Sequence, residues 1–168
     1  MINFIRKRIQ TGILTEKIET NNKLDNIKKG IKTLVNKKFA GSLAIRMVDS
    51  GSCNACEAEC NALSNPYYNL ESLGIYFVAS PRHADILLVS GVLTSNMYHH
   101  LLEAKEQVPS LKWIITLGDC PLMQSVFEKT YAIMAPVQDH IEVTHHIPGC
   151  PPQPDEIIKE LLKFLKKI

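Results

Sequence analysis

A chain of 168 residues, 45% of them apolar and with a formal net charge of +2, has enough apolar surface for one domain with its own core. No stretch is long and apolar enough to span a membrane, and no charged start leads into an apolar run with a small-residue cleavage site, so neither a spanning segment nor a secretory leader is expected. The charge is unevenly placed: residues 1–38 hold ten basic and three acidic residues, a net of +7 that leaves −5 for the remainder. Such a segment suits lipid head groups, an acidic protein surface or nucleic acid, or serves only as a solvated tail.

In chain order, residues 1–40 carry a helical apolar spacing. It runs through Phe4, Ile5, Ile9, Ile13 and Leu14, breaks at Asn21 and Asn22, and resumes at Leu24, Ile27, Ile31 and Leu34. This predicts an amphipathic arm of one or two helices at 1–40 and a globular domain over 41–168. Short apolar runs at 43–48, 75–79, 85–90, 113–117 and 141–147 predict strands from their length and β-branched or aromatic content. Helices are predicted at 96–108, with Ser95 or Asn96 as cap, at 121–129, with Pro121 in the first turn, and from Asp155 onward. The last helix aligns Ile157, Ile158, Leu161, Leu162, Leu165 and Ile168 on one face. Alternating strands and helices predict an α/β domain with a mainly parallel sheet and flanking helices.

The five cysteines carry the chemistry. In a compartment that keeps thiols reduced they read as metal ligands or buried thiols before disulfides. "GSCNACEAEC" (51–60) places Cys53 and Cys56 in a C-x-x-C pair five residues past the strand ending at Val48. Cys120 and Cys150 each come three residues past a predicted strand, after Leu117 and Ile147. A parallel sheet brings all these positions to one edge, where α/β folds place their ligands. "SGSC", "LGDCP" and "PGCPP" put glycine close before cysteine, which lets the backbone approach a bulky anionic group. Four thiolates on a glycine-rich edge suit a cubane iron–sulfur cluster. Two other readings stand beside it: a structural zinc site, which usually uses two C-x-x-C knuckles where this chain has one, and unliganded buried thiols. Cys60 is expected to face the core from a helix beginning near Glu57.

At these residues the sequence resembles the small electron-transfer subunit shared by membrane-bound group 4 [NiFe] hydrogenases and respiratory complex I, there the 20 kDa-type subunit. "GSCNACEAE" (51–59), "SPRHADILLVSG" (80–91), "WIITLGDC" (113–120) and "IPGCPPQPDEI" (147–157) carry the resemblance, and "GILTEKIE" (12–19) is similar to the family's N-terminal arm. The resemblance implies a flavodoxin-like fold holding one [4Fe–4S] cluster, with Cys53, Cys56, Cys120 and Cys150 at the ligand positions. It also implies three partners: a hydrogenase-type large subunit, a ferredoxin-like iron–sulfur subunit and an integral membrane subunit. The protein would then sit peripherally on the cytoplasmic side of the membrane. Complex I members carry two adjacent cysteines at the first position, whereas C-x-x-C is the hydrogenase-type spacing. That favours a formate-hydrogenlyase-like complex over transfer to quinone. "CNAC" departs from the family in lacking the glycine that often precedes the second cysteine, and Cys60 stands where an aliphatic residue is usual.

Other polar residues carry less. Glu57 and Glu59 read either as carboxylates near a partner's active site or as acids favoured by a helix N-terminus. His145 and His146 are expected on opposite faces of a strand. Arg82 and Asp85 are expected to anchor a loop or a subunit contact. Neither nucleotide-binding glycine motif is present, no nucleic-acid partner is expected, and no complete catalytic constellation is visible.

Overall fold

The computed structural model describes residues 2–12, 22–109, 113–124, 126–127 and 130–168. Helix α1 (Ile2–Thr11) and helix α2 (Asn22–Phe39) precede strand β1 (Leu43–Asp49) and helix α3 (Ala55–Ala62). Strands β2 (Ile75–Phe77) and β3 (Ile86–Ser90), helix α4 (Ser95–Gln107), strands β4 (Trp113–Leu117) and β5 (His145–Ile147) and helix α5 (Pro154–Lys167) follow. Every strand pair is parallel, in the order β2-β1-β3-β4-β5. That is the flavodoxin-like doubly wound order, in which chain direction across the sheet reverses between β1 and β3.

The sheet is parallel because its strands are apolar on both faces. All five residues of β3, Ile-Leu-Leu-Val-Ser, are buried, so helices must cover it on either side. On one face Ile45, Ile86, Leu88, Ile115 and Leu117 pack with α2, α3 and α5. On the other, Val48, Leu87, Val89 and Ile114 pack against Leu101 of α4 and against Val137 and Ile141. α5 starts with Pro154 behind a capping box formed by Gln153 and Glu156, as P-x-E after a polar residue favours. Its buried stripe is Ile157, Ile158, Leu161, Phe164 and Leu165, with Leu162 and Ile168 at the margin. Phe164 joins the stripe because its ring meets Trp113 edge-on, centroids 6.1 Å apart, and lies 5.9 Å from His145.

Several elements differ from their sequence expectation. In place of the helix expected at 121–129, the described residues form one 3-10 turn at Cys120–Leu122, which stops where Met123 turns left-handed (φ 58°), and residues 125, 128 and 129 lie outside the described residues. Of the strand expected at 141–147 only His145–Ile147 forms the ladder with β4, while Ile141 turns instead into the core beside Val137. The cap of α4 is Thr94, one residue before the expected pair, and its hydroxyl is committed elsewhere, to the carbonyl of Ser50. The expected boundary at residue 40 falls between α2 and β1. Yet Leu24, Ile31 and Val35 of α2 are buried in the same cluster as the sheet and α5, and Gly30 leaves room for Leu162, whose Cδ1 would lie 3.4 Å from an added Cβ. The apolar face of α2 therefore docks on this chain's own core. Residues 13–19 of the arm-like segment lie outside the described residues.

Ile31 and Ile9 mark the contrast, being 0% and 77% exposed. Ile31→Ala is expected to lower unfolding free energy by about 2–5 kcal/mol, as for other buried large-to-small changes. Ile9→Ala is expected to change it by less than about 0.5 kcal/mol, as at free surface positions. Urea unfolding of the two variants measures both.

Candidate metal centre

The carboxyl edge of the sheet is a set of interlocked loops. After β1, the Asp49 carboxylate accepts from the backbone N–H groups of Gly51 (2.8 Å) and Ser52 (2.7 Å), which folds the chain back at once. Ser50 is fully buried and its hydroxyl donates to the carbonyls of Ser90 (2.6 Å) and Gly91 (3.1 Å), tying this loop to the end of β3. Both the N–H and the hydroxyl of Thr94 donate to the Ser50 carbonyl at 3.0 Å. Asn54, left-handed at φ 68°, then enters α3, its N–H donating to the Ser52 hydroxyl at 3.0 Å. Cys53 is exposed on this loop, and Cys56 is buried in the first turn of α3.

The loops after β4 and β5 are joined directly. Gly118 N–H donates to the Ile147 carbonyl (2.8 Å) and Asp119 N–H to the Gly149 carbonyl (3.0 Å), while the Asp119 side chain accepts from Gly149 N–H (2.8 Å). Cys120 is buried and Cys150 exposed on this pair of loops. The knuckle meets them at Gly118: a Cβ there would lie 2.8 Å from the Cys56 sulfur and 3.1 Å from the Gly149 carbonyl, and φ is +79°. Only glycine fits both that space and that dihedral. The Cys56 thiol lies 3.9 Å from the Leu117 carbonyl, at the end of β4.

The electrostatics follow from this crowding. Burial pushes the Cys56 thiol up to about 12, and the charges of Glu57, Cys120, Cys53 and Cys150 add to it in that order. The other three candidate ligands therefore all bear on Cys56, and a thiolate there needs a compensating cation. Cys60, one helical turn on, is 3% exposed among core residues and is also raised to about 12, first by burial and then by Cys56, Glu57 and Glu59. Glu57 accepts a short hydrogen bond from the buried Ser90 hydroxyl, and its other oxygen, Oε2, is buried with no hydrogen-bond partner. Among the described residues, no three His, Cys, Asp or Glu side chains are drawn together tightly enough for a single metal ion.

The other candidates separate. His145 faces α5, its Nε2 3.2 Å from Glu160, which also holds Lys163 at 2.6 Å. His146 faces the opposite way, its Nδ1 2.9 Å from the Thr116 hydroxyl, and burial lowers its pKa. Asp85 anchors β3 to β1 by accepting from Ala44 N–H at 2.8 Å, and Arg82 is exposed in the turn before it. Asp49, Ser50, Ser90 and Thr94 are the residues that cysteine spacing does not reveal. Their signal was a run of small hydroxyl residues next to glycine at two strand ends, "DSGS" and "VSG".

The chain as a whole is similar to known proteins. The family model described as NADH ubiquinone oxidoreductase, 20 Kd subunit, matches residues 53–164. The chain is 41% identical over 132 residues to the probable membrane-bound hydrogenase subunit mbhJ of Pyrococcus furiosus, covering 78% of this chain and 79% of that one. It is 39% identical over 118 residues to formate hydrogenlyase subunit 7 of Escherichia coli, covering 70% of this chain and 46% of the relative. Among solved structures, the membrane-bound sulfane sulfur reductase, an archaeal respiratory membrane complex, contains a chain with TM-score 0.66 and 28% identity, over 80% of this chain and 76% of that one. The chain belongs to the family of the NADH ubiquinone oxidoreductase 20 Kd subunit.

Proposed function

We propose that this chain is the small electron-transfer subunit of a membrane-associated, group 4 hydrogenase-type oxidoreductase, holding one [4Fe–4S] cluster through Cys53, Cys56, Cys120 and Cys150. The observation that carries the reading is the meeting of the knuckle with the β4 and β5 loops at Gly118, where a side chain would occupy the space beside the Cys56 sulfur. The donor set fits the group. Thiolates on a single zinc ion sit within about 4 Å of one another, given Zn–S bonds of ~2.3 Å. A cubane presents a separate iron to each ligand and spreads them more widely. Cys53, Cys120 and Cys150 all lie near enough to Cys56 to bear on its charge, and Gly118 keeps the space beside the Cys56 sulfur free of a side chain, which supports four thiolates around one such group.

When bound, such a cluster supplies one-electron transfer. The chain's own residues set the terms for it. Cys56 and Cys120 are buried, whereas Cys53 and Cys150 are exposed, so the group would lie at the rim with one side toward a partner. Gly51, Gly118 and Gly149 keep side chains out of the space between the loops, and Asp119 holds the β4 and β5 loops in register. Glu57, with one oxygen fixed by Ser90 and the other buried without a partner, places negative charge beside the knuckle. Negative charge and burial lower the potential of an iron–sulfur group.

The partner on this edge is a hydrogenase-type large subunit, with a ferredoxin-like subunit delivering electrons and an integral membrane subunit holding the assembly. Val126 (82% exposed) and Tyr131 (103%), in the segment that follows Cys120, leave apolar side chains open to a partner. The C-x-x-C spacing, with Asn54 turning left-handed between the two cysteines, separates this chain from the adjacent-cysteine pattern of quinone-reducing complexes.

Protein purified anaerobically, or rebuilt with iron and sulfide, is expected to be brown and to hold about four irons per chain. Cys120→Ser and Cys150→Ser are expected to lose that chromophore, while Cys60→Ser keeps it. Zinc in place of iron, with no visible absorption, contradicts the reading, and loss of the chromophore in Cys60→Ser overturns the ligand set. Gly118→Ala is expected to block incorporation as well, and to cost ~1–3 kcal/mol of stability through its left-handed φ and its clash with Cys56.

A further inference from the structure

α1 carries Arg6, Lys7 and Arg8 and no acidic residue, while Ile5 is 55% and Ile9 77% exposed. At 3.6 residues per turn, Ile5 and Ile9 form one stripe; Arg6 and Arg8 fall about 80° to either side of it, and Lys7 lies opposite. Two isoleucines facing water, bracketed by guanidinium groups, describe a helix made for a boundary between an apolar and an anionic medium.

We propose that α1 is an interfacial helix that lies in the head-group layer of an anionic lipid bilayer, with Ile5 and Ile9 toward the acyl chains and Arg6 and Arg8 among the phosphates. Charge complementarity selects this occupant. A protein groove covering the stripe would have to supply a fixed acidic group on each side, whereas a phosphate layer meets both guanidinium groups at any rotation in the plane and pairs with them bidentately. No helix of the described residues is long and apolar enough to cross a membrane, so attachment through α1 is superficial. A helix of 10 residues is marginal in water, and contact with the interface is what would hold it in shape. A single short helix also binds weakly, so it adds to the hold of the assembly without replacing it. The inference goes beyond the electron-relay reading and stands without a cluster.

The test is co-sedimentation of the full-length chain with vesicles of phosphatidylcholine alone or mixed with phosphatidylglycerol. Binding is expected on the anionic vesicles only, and to fall as salt approaches ~1 M, where screening shortens to about 3 Å. Arg6→Gln with Arg8→Gln is expected to lower partitioning by about 25-fold, about fivefold per cation. Ile5→Glu with Ile9→Glu is expected to abolish it. All four positions are exposed, so the fold is retained, which circular dichroism checks. Equal binding to neutral and anionic vesicles, or undiminished binding by the Glu variant, overturns the proposal. So does binding to membranes that contain an integral partner but not to protein-free vesicles, which assigns the helix to a protein. Iron content and visible spectrum of the same samples report on the relay reading separately.

Discussion

The reciprocal hydrogen bonds between Asp119 and Gly149 are the constraint on which the edge depends. Asp119 gives its backbone N–H to the Gly149 carbonyl and takes the Gly149 N–H on its carboxylate, so two loops that begin on neighbouring strands move as one. Gly118 sits in the same pair of loops and forms the wall against which Cys56 rests. On the other side, the buried Ser50 hydroxyl locks the knuckle loop to the end of β3. The positions of four cysteines are thus fixed by backbone and small polar groups before any ligand is considered. Such preorganisation is what a redox site needs, since a loose shell lets the environment of the group change between its two charge states.

Parallel pairing is the next level down. β1, β4 and β5 end at the same edge only because β3, buried on both faces, lies between β1 and β4 and requires helices on both sides of the sheet. The knuckle then falls between β1 and β3, where chain direction across the sheet reverses and a crevice opens. The same architecture explains the N-terminal region. α2 fills the side of the sheet that α5 leaves partly bare, whereas α1 keeps its isoleucines outside. One stretch of basic sequence thus serves two purposes, and burial tells them apart where charge does not.

Much of this was legible in the residues. Strands 113–117 and 86–90 announced themselves by continuous β-branched and aliphatic runs, and the glycine before each distant cysteine marked the strand-end loops. Three things were not legible. The "PLMQSVFEK" segment has helical apolar spacing, yet Met123 turns left-handed and ends the first turn after Leu122, a stop that apolar spacing does not announce. α1 and α2 are both basic and amphipathic, so sequence could not say that Leu24, Ile31 and Val35 are buried in the core with α5 while Ile5 and Ile9 stay exposed. The serine and aspartate ladder at the loop bases, Asp49, Ser50 and Ser90, consists of residues common in any turn. Their role emerges only from which carbonyl and carboxylate each one reaches.

The central claim is that four thiolates from three loops share one iron–sulfur group. Iron K-edge X-ray absorption on the anaerobically purified chain tests it most directly, because it reads the atoms around the metal without reference to activity. An all-sulfur first shell with iron–iron scattering beyond it is predicted, and both features should vanish together in Cys150→Ser. A metal with nitrogen or oxygen neighbours, or scattering from zinc with no second metal shell, would contradict the account.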